Sequence, residues 1–305
     1  MTKIDVFAHV LPEKFYNEML EIDSTIPKQY PFIKQKELLS DIKNRRTNFP
    51  VDVKQVISAV NVNPEDYVDA DKSAKLCIEA NKEISNLVSE NSDLFTAGIA
   101  MLPMNNIDAS LDIMKDDIAK SSELIGIQLF TRALGKSIAD TDFLPIFETA
   151  SKLDIPILLH PVFDSRKPDN NIVFSWEYEL SQAMLQIVQA GIFQKFPNLK
   201  IIVHHAGAMI PFFAGRIDNI LPSDQAEDFK KFYVDTAILG NTKALELAVS
   251  YFGADHMLFG TDAPFGIPDE GATEEIISAI NEMKISDSNK ELIYQGNFEK
   301  IFGDQ

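Results

Sequence analysis

The run KIDVFAH at residues 3–9 is a short apolar segment that ends on a histidine, and similar runs recur along the chain. Three further runs have the same form: IPILLH at residues 155–160, IIVHH at residues 201–205 and MLFGTD at residues 257–262. Their ends carry four of the five histidines and one aspartate: His9, His160, His204, His205 and Asp262. Parallel α/β folds build their active sites at the downstream ends of the strands. This pattern predicts an enzyme, and specifically a metalloenzyme.

Strand-like and helical patterns alternate along the whole chain. Apolar runs rich in β-branched residues predict eight strands, near residues 3–9, 55–60, 95–101, 124–130, 156–160, 200–205, 232–236 and 257–260. Amphipathic stretches between them, such as AKLCIEANKEISNLVSE, predict helices. Eight such units favour a (β/α)₈ TIM barrel over an open doubly wound sheet, because the sequence also lacks the glycine-rich phosphate-binding motifs of nucleotide folds.

Two connections are longer than ordinary loops between a strand and a helix. Residues 10–54 predict a small helical insertion over the barrel mouth, and residues 163–177 predict a second long loop. Residues 287–303 have the pattern of a closing helix. Since one barrel takes roughly 250 residues, we expect residues 1–305 to form a single domain with that insertion.

Composition narrows the class of protein. The chain has 305 residues, 45% of them hydrophobic, and its single cysteine, Cys77, leaves metal binding to histidines and carboxylates. A net charge of -18 opposes binding to nucleic acid or to an anionic membrane. The sequence contains no apolar run of membrane-spanning length and does not start like a signal peptide. We therefore expect a cytoplasmic protein that binds small molecules.

Strand alternation gives a first expectation for side-chain directions. In the first strand, Asp5, Phe7 and His9 would share one face, while Val6 and Ala8 would face the outer helices. His9 would then point into the barrel at its mouth.

The same alternation separates the two adjacent histidines of the sixth strand. Ile201, Val203 and His205 would share the inward face, and His204 would point outward as a packing or hydrogen-bonding residue. His205 is therefore the better catalytic candidate of the pair.

Six motifs together resemble one known family. In chain order they are DVFAHVLP, LLHP, HHAGAMIPFFAGRID, YVDTA, FGTDAPFG and YQGNFEKIF. The chain is similar to the amidohydrolase superfamily, and within it to the amidohydrolase-2 group typified by aminocarboxymuconate semialdehyde decarboxylase and related aromatic-acid decarboxylases. The resemblance spans nearly the whole chain. It implies a barrel with one divalent metal ion, usually zinc and sometimes manganese.

The resemblance also assigns residues. His160 matches the strand-5 metal ligand, His205 the catalytic histidine and Asp262 the strand-8 aspartate, while His9 matches the second histidine of a strand-1 H-x-H pair. Phe7 stands where the first histidine of that pair is expected, and a phenyl ring cannot ligate a metal. The expected ligands are therefore His9, His160 and Asp262, with weakened metal affinity. Three ligands still leave the open position that metal catalysis requires.

Three further residues are candidates for substrate binding. Arg216 matches an arginine that the decarboxylase branch lends across a dimer interface to a substrate carboxylate, which implies a homodimer; the alternative is an ion pair on a surface helix. Either Arg45 or Arg46 would face the pocket, with Arg46 the candidate and a solvent-exposed position the alternative. Trp176 would stack on an aromatic ring or would anchor its loop.

These residues allow three functions. In a decarboxylase, the metal holds a substrate oxygen or activates water, while His205 and Asp262 handle the proton that replaces carbon dioxide. In a hydrolase, metal-bound water attacks the carbonyl of a lactone, ester or amide. In a third case, suggested by Phe7, the barrel has lost catalysis and is kept as a binding protein. We predict the first of these, with a small carboxylated and possibly aromatic or muconate-like substrate.

Overall fold

Seven parallel strands form one curled sheet at the centre of the fold. A computed structural model describes residues 2–34, 36–164, 167, 170–266 and 271–303. Its strands are β1 (Lys3–Val10), β2 (Val53–Ala59), β3 (Phe95–Ala100), β4 (Leu124–Phe130), β5 (Arg132–Ala133), β6 (Lys136–Ser137), β7 (Ile157–His160), β8 (Ile201–Val203) and β9 (Tyr233–Val234). The sheet order is β1-β2-β3-β4-β7-β8-β9, and β5 pairs with β6 in a separate antiparallel hairpin.

The two edges of this sheet are joined by residues 257–263. Leu258 donates its backbone N–H to the carbonyl of Val234 in β9 at 2.8 Å, and Val6 of β1 donates to the carbonyl of Phe259 at 2.9 Å. The segment forms isolated parallel bridges and not a regular strand. Within the described residues the central sheet thus has seven regular strands where the sequence predicts eight, because the last run pairs through single bridges. The mixed α/β fold with a curled parallel sheet fits a TIM-like barrel.

Helices connect successive strands. The α-helices are α1 (Glu13–Ile22), α2 (Ile26–Gln29), α3 (Pro31–Lys34), α4 (Ile42–Asn48), α5 (Ala70–Glu90), α6 (Ile107–Asp112), α7 (Leu144–Leu153), α8 (Ser175–Gln189), α9 (Ile192–Lys195), α10 (Ala214–Ile220), α11 (Ser223–Asp228), α12 (Thr242–Phe252), α13 (Thr273–Glu282), α14 (Asp287–Glu291) and α15 (Asn297–Phe302). Short 3₁₀ turns occupy Glu37–Leu39, Pro64–Asp66, Thr141–Phe143, His205–Gly207, Pro211–Phe213, Phe229–Lys231 and Ala254–His256, and π-helical turns occupy Ile113–Ile118 and Leu292–Gly296. None of the helices in the described ranges is long and apolar enough to cross a membrane.

Local sequence signals explain the longest helix, α5. The side chain of Asp69 accepts a hydrogen bond from the backbone N–H of Lys72 at 2.9 Å, which satisfies one of the unpaired donors at the helix start and stabilises it by about 1 kcal/mol. The helix then buries apolar side chains at helical spacing: Leu76, Cys77, Ala80, Ile84 and Val88. The buried thiol of Cys77 is therefore part of the core.

A small apolar cluster fills the inside of the curled sheet. It brings together Val6 of β1, Leu158 of β7 and Ile202 of β8. Because β1 does not neighbour β7 or β8 in the sheet, these side chains meet across its interior. Phe298 and Ile301 of α15 belong to the same cluster, so the last helix packs against the barrel interior.

The pairing of β1 corrects the predicted side-chain alternation. The register between β1 and β2 shifts between Asp5 and Ala8. Val6 consequently lies in the interior cluster, and its predicted contact with the outer helices is wrong. Beyond the shift, His9 also faces inward, since its ring centroid lies 5.2 Å from that of His160.

Candidate metal and catalytic site

Four predicted site residues line one cavity beyond the carboxyl ends of the strands. His9, His160, His205 and Asp262 all contact a cavity of about 660 Å³, which also contacts Trp176. They reach it from β1, from β7, from the turn after β8 and from the segment that closes the sheet. The fold therefore brings together residues that are far apart in sequence.

His9 lies next to both of the other predicted metal ligands. Its Nε2 atom is 3.4 Å from Nε2 of His160 and 3.1 Å from Oδ1 of Asp262. Two donors bound to one zinc ion at about 2.0 to 2.1 Å in tetrahedral geometry lie about 3.3 to 3.4 Å apart. Each of the two pairs thus has a separation close to that of neighbouring ligands.

The orientation of His160 suits a ligand. Its Nδ1 atom donates to the backbone carbonyl of Pro161 at 2.6 Å, so Nε2 carries the lone pair that faces His9. Burial, together with the neighbouring His9, lowers the pKa of His160 and keeps its ring neutral. The ring of His9 is held on its other side, where Nδ1 lies 3.1 Å from the hydroxyl of Ser58. Such contacts to the second ring nitrogen fix the orientation of metal-ligating histidines.

The donors fit a divalent cation in type and in pairwise spacing. Two imidazole nitrogens and a carboxylate oxygen are ligands that zinc accepts and that manganese tolerates. Among the residues that the structure describes, no three His, Cys, Asp or Glu side chains are already arranged to hold a metal ion. The site consists instead of two pairs of side chains with ligand-like spacing, His9 with His160 and His9 with Asp262.

Phe7 fills the place next to these donors. Its side chain is buried, and its ring centroid lies 4.8 Å from that of His9 and 5.5 Å from that of His160. The ring supplies no donor, so of these two residues only His9 offers a nitrogen atom to the site.

His204 faces inward, and its predicted outward position is wrong. Ile202 lies in the interior cluster, whereas Val203 belongs to the large core between sheet and helices, so the inward parity of β8 is opposite to the predicted one. His204 continues the face of Ile202: its ring stacks on Phe7 with centroids 3.4 Å apart and planes 12° apart. Its Nδ1 atom donates to Oδ2 of Asp235 at 2.6 Å. Burial lowers the pKa of His204 in spite of that carboxylate.

His205 reaches the cavity because the backbone leaves the strand at this residue. β8 ends at Val203, and His205 has a φ of 60°, a left-handed conformation that turns its side chain away from strand alternation. Its backbone N–H donates to Oδ1 of Asp235 at 2.9 Å, which helps hold that turn. His205 thus faces the cavity as expected, but the turn after β8 places it there, and it does not lie on the inward face of the strand.

Glu177 is a site residue that the sequence did not reveal. Its Oε1 atom accepts a hydrogen bond from Nδ1 of His205 at 2.8 Å. Burial alone would lower the pKa of His205, but the charge and hydrogen bond of Glu177, with a further contribution from Asp262, raise it to about 9. The two carboxylates therefore favour the protonated form of His205. The only sequence signal was an acidic residue beside the single tryptophan, in the first turn of α8.

Trp176 forms one wall of the cavity. Its ring centroid lies 6.2 Å from that of His205 with planes 27° apart, and it also lies 6.2 Å from that of His160. Its indole N–H is buried and has no hydrogen-bond partner among the described residues. The side chain thus offers the cavity an aromatic face, and its indole N–H is an unused buried donor.

The predicted arginines lie outside this cavity. Arg46 is exposed, and its guanidinium pairs with Asp93 at 2.6 Å just before β3, at the amino end of the sheet. That position does not fit the predicted substrate contact, because His9 lies at the opposite, carboxyl end. Its neighbour Arg45 is fully buried and donates to the backbone carbonyl of His9 at 2.6 Å. Arg216 is exposed on α10.

Comparison with known proteins identifies relatives of nearly the whole chain. A sequence profile of the amidohydrolase family matches residues 4–303. The chain is 30% identical over 271 residues to 2-amino-3-carboxymuconate-6-semialdehyde decarboxylase from Dictyostelium discoideum, covering 82% of this chain and 72% of that protein. It is 26% identical over 324 residues to gamma-resorcylate decarboxylase from Polaromonas sp. strain JS666, covering 96% of this chain and 97% of that protein.

Solved structures share the fold. One is 5-carboxyvanillate decarboxylase from Novosphingobium aromaticivorans with bound manganese, which has a TM-score of 0.83 at 19% identity and covers 99% of this chain and 97% of that one. The resemblance that the motifs carry is thereby confirmed. The chain belongs to the amidohydrolase family, and it is an enzyme.

Proposed function

We propose that this enzyme is a metal-dependent decarboxylase, a carboxy-lyase, that acts on a small aromatic or muconate-like carboxylate. The observation that carries the proposal is the convergence of His9, His160 and Asp262 with a protonated His205 in one cavity. The cavity volume of about 660 Å³ lies within the range for small-ligand sites, and its walls include the ring of Trp176. The curated relatives named above are decarboxylases of carboxylated substrates.

His9, His160 and Asp262 would hold one divalent cation, zinc or manganese. When bound, such an ion polarises a carboxylate or hydroxyl oxygen of the substrate and so stabilises negative charge. The relative from Novosphingobium contains manganese, which supports a divalent ion of this kind here. Phe7 removes one donor from the first strand, so these three ligands alone would give weaker zinc affinity than a four-ligand site.

His205 supplies the proton that replaces the carboxylate. Its Nδ1–H bonds to Glu177, which leaves Nε2–H as the proton for the cavity. Protonation of the carbon that bears the carboxylate is followed by cleavage of the bond between that carbon and the carboxylate. The electron pair of this bond remains with the substrate, and carbon dioxide leaves. Asp262 adds negative charge beside His205 and shares in the handling of its proton.

Substrate binding would use Trp176 and Arg216. The face of Trp176 lies beside His205 and His160, where it would stack on the reacting ring. Arg216 is exposed on α10 and would reach the site of a second subunit, with its guanidinium on a substrate carboxylate. The exposed side chains of Phe212 and Ile220 flank it and would be covered by that subunit. The proposed state is a cytoplasmic homodimer.

The proposed architecture is one domain, residues 1–305, in which residues 10–54 cover the barrel mouth. This is supported by α1 to α4 between β1 and β2 and by aromatic contacts of Phe32. The ring of Phe32 lies 5.1 Å from Phe163 and 5.7 Å from Phe265, and Phe32 also lines the cavity. The insertion would thereby exclude water from the site.

The test is release of carbon dioxide by the metal-loaded enzyme. The substrates offered are 2-amino-3-carboxymuconate-6-semialdehyde, 2,6-dihydroxybenzoate and 5-carboxyvanillate, each labelled in the carboxyl group. We expect labelled carbon dioxide from at least one of them, loss of that activity on chelation, and loss in His160→Ala. Lactone, ester or amide hydrolysis without any carbon dioxide release would replace the proposal with the hydrolase function. Activity that survives complete metal removal would contradict it.

A further inference from the structure

The barrel buries an imidazole that the proposed mechanism does not use. His204 has no exposed surface, and its Nε2 atom has no hydrogen-bond partner within the described part of the chain. A buried polar atom without a partner carries a desolvation cost. A ligand bound to Nε2 would remove that cost.

The other nitrogen of this ring is held in the way that metal-binding imidazoles are held. Nδ1 of His204 donates to Oδ2 of Asp235 at 2.6 Å, and both side chains are fully buried. A carboxylate on one ring nitrogen fixes the tautomer, orients the ring and makes the other nitrogen a better donor, as in the carboxylate–histidine–zinc arrangement. The lone pair of His204 is therefore on Nε2.

His204 also lies close to two side chains at the proposed ion site. Its ring stacks on Phe7 with centroids 3.4 Å apart, and its centroid lies 5.6 Å from that of His160. Phe7 in turn contacts the ring of His9. The ring of His204 is thus stacked directly on Phe7, the residue that stands where a histidine ligand is expected.

From these observations we propose that His204 is a further metal ligand, which supplies through Nε2 the nitrogen donor that Phe7 does not. The inference rests on the proposed function, because it requires the ion at His9, His160 and Asp262. Asp235 is then a positioning residue that holds His204. A purely structural pair of His204 and Asp235 would stabilise the fold without changing the coordination of the ion.

The experiment counts imidazole ligands and measures affinity on the intact chain. Zinc K-edge X-ray absorption of the wild-type protein should give one imidazole for each of His9, His160 and His204. The variant His204→Asn keeps a side-chain N–H that can reach Asp235 and loses Nε2, and it should lose one imidazole. Its zinc affinity, measured by competition with a chromophoric chelator, should fall about tenfold or more. His256→Asn makes the same exchange at a histidine stacked on Tyr233, outside the site, and should change neither quantity.

A second variant checks the exchange of donors. Adding Phe7→His to His204→Asn should restore the third imidazole and most of the affinity, because the two rings are stacked. Wild-type zinc with only two imidazoles, or a His204→Asn variant with unchanged affinity and spectrum, would overturn the proposal for His204 and leave the proposed function standing. Failure of the wild-type protein to bind zinc, or undiminished binding by His160→Asn, would instead contradict the proposed function. The wild-type imidazole count decides the question even if a variant fails to fold.

Discussion

At the scale of single residues, environment sets the role of each histidine in the site. His160 is buried with no acidic partner among the described residues and stays neutral, whereas the carboxylate of Glu177 favours the protonated form of His205. Motif positions predicted that His9, His160, His205 and Asp262 would meet. They did not predict Glu177, because an acid on a helix after a long loop has no fixed spacing to the strand ends.

Glu177→Gln should weaken the dependence of stability on pH. The folded-state pKa of His205 is about 9, above the ordinary value of 6.5, so its stabilisation is complete below about pH 6.5 and is lost as the pH rises through about 9. Removing the carboxylate should reduce this loss by on the order of 2 kcal/mol. Urea denaturation of the metal-free protein at both ends of that range measures it.

A matched exchange controls for the loss of any glutamate. Glu148→Gln removes a partly exposed carboxylate that pairs with Lys152 on α7, and it should leave the pH dependence unchanged. An unchanged pH dependence in Glu177→Gln as well would show that Glu177 does not keep His205 protonated.

In the His204→Asn background, where the donor from His204 is absent, Phe7→His should tighten zinc binding by about tenfold or more, because it returns a nitrogen donor beside His9. Phe7→Leu is the matched control, since it changes the ring without adding a donor. Competition titrations at one pH compare the three proteins. Equal affinity of the histidine and leucine variants would mean that position 7 does not face the ion.

At the scale of elements, short strands and turns set side-chain directions that the sequence did not predict. β8 has three residues and ends at Val203, so the assumption that its alternation continues to His205 reversed the predicted faces of the strand residues and of His204. The register shift in β1 has the same effect on Val6. Alternation is reliable only while backbone geometry stays regular. The order of strands and helices was predictable because apolar periodicity survives these local breaks.

The two adjacent arginines of α4 should differ sharply in their effect on stability. Arg45 is fully buried and donates to His9, Leu38 and Gln55, so Arg45→Met should cost about 3 to 5 kcal/mol by leaving buried acceptors unpaired. Arg46→Met removes an exposed ion pair and should cost less than about 1 kcal/mol. Chemical denaturation of both variants tests this. Equal losses would show that the buried hydrogen bonds of Arg45 do not stabilise the fold.

At the scale of the whole molecule, large apolar side chains are exposed at and near the cavity mouth. Such exposed apolar surface is typical of a region that another subunit covers. Phe212 and Ile220 are 77% and 62% exposed, close to Arg216 in sequence, and Phe212 also lines the cavity. The sequence places Ile210, Phe212, Phe213, Ile217 and Ile220 in this stretch but does not predict which of them remain uncovered. Ile210 and Ile217, from the same stretch, are buried within the subunit.

Charge at this surface should dissociate the proposed dimer. The double variant Phe212→Glu with Ile220→Glu should sediment as a monomer at micromolar concentration, because two carboxylates cannot be buried unpaired. Leu153→Glu changes an exposed apolar residue of α7 and should leave the dimer intact. A wild-type monomer, or a double variant that stays dimeric, would exclude this interface.

The central claim is that His9, His160 and Asp262 hold one catalytic divalent ion, and anomalous diffraction from crystals saturated with manganese tests it most directly. The account predicts one strong anomalous peak in contact with Nε2 of His9, Nε2 of His160 and the carboxylate of Asp262. Manganese bound only elsewhere, or no peak at these three side chains in saturated crystals, would contradict it.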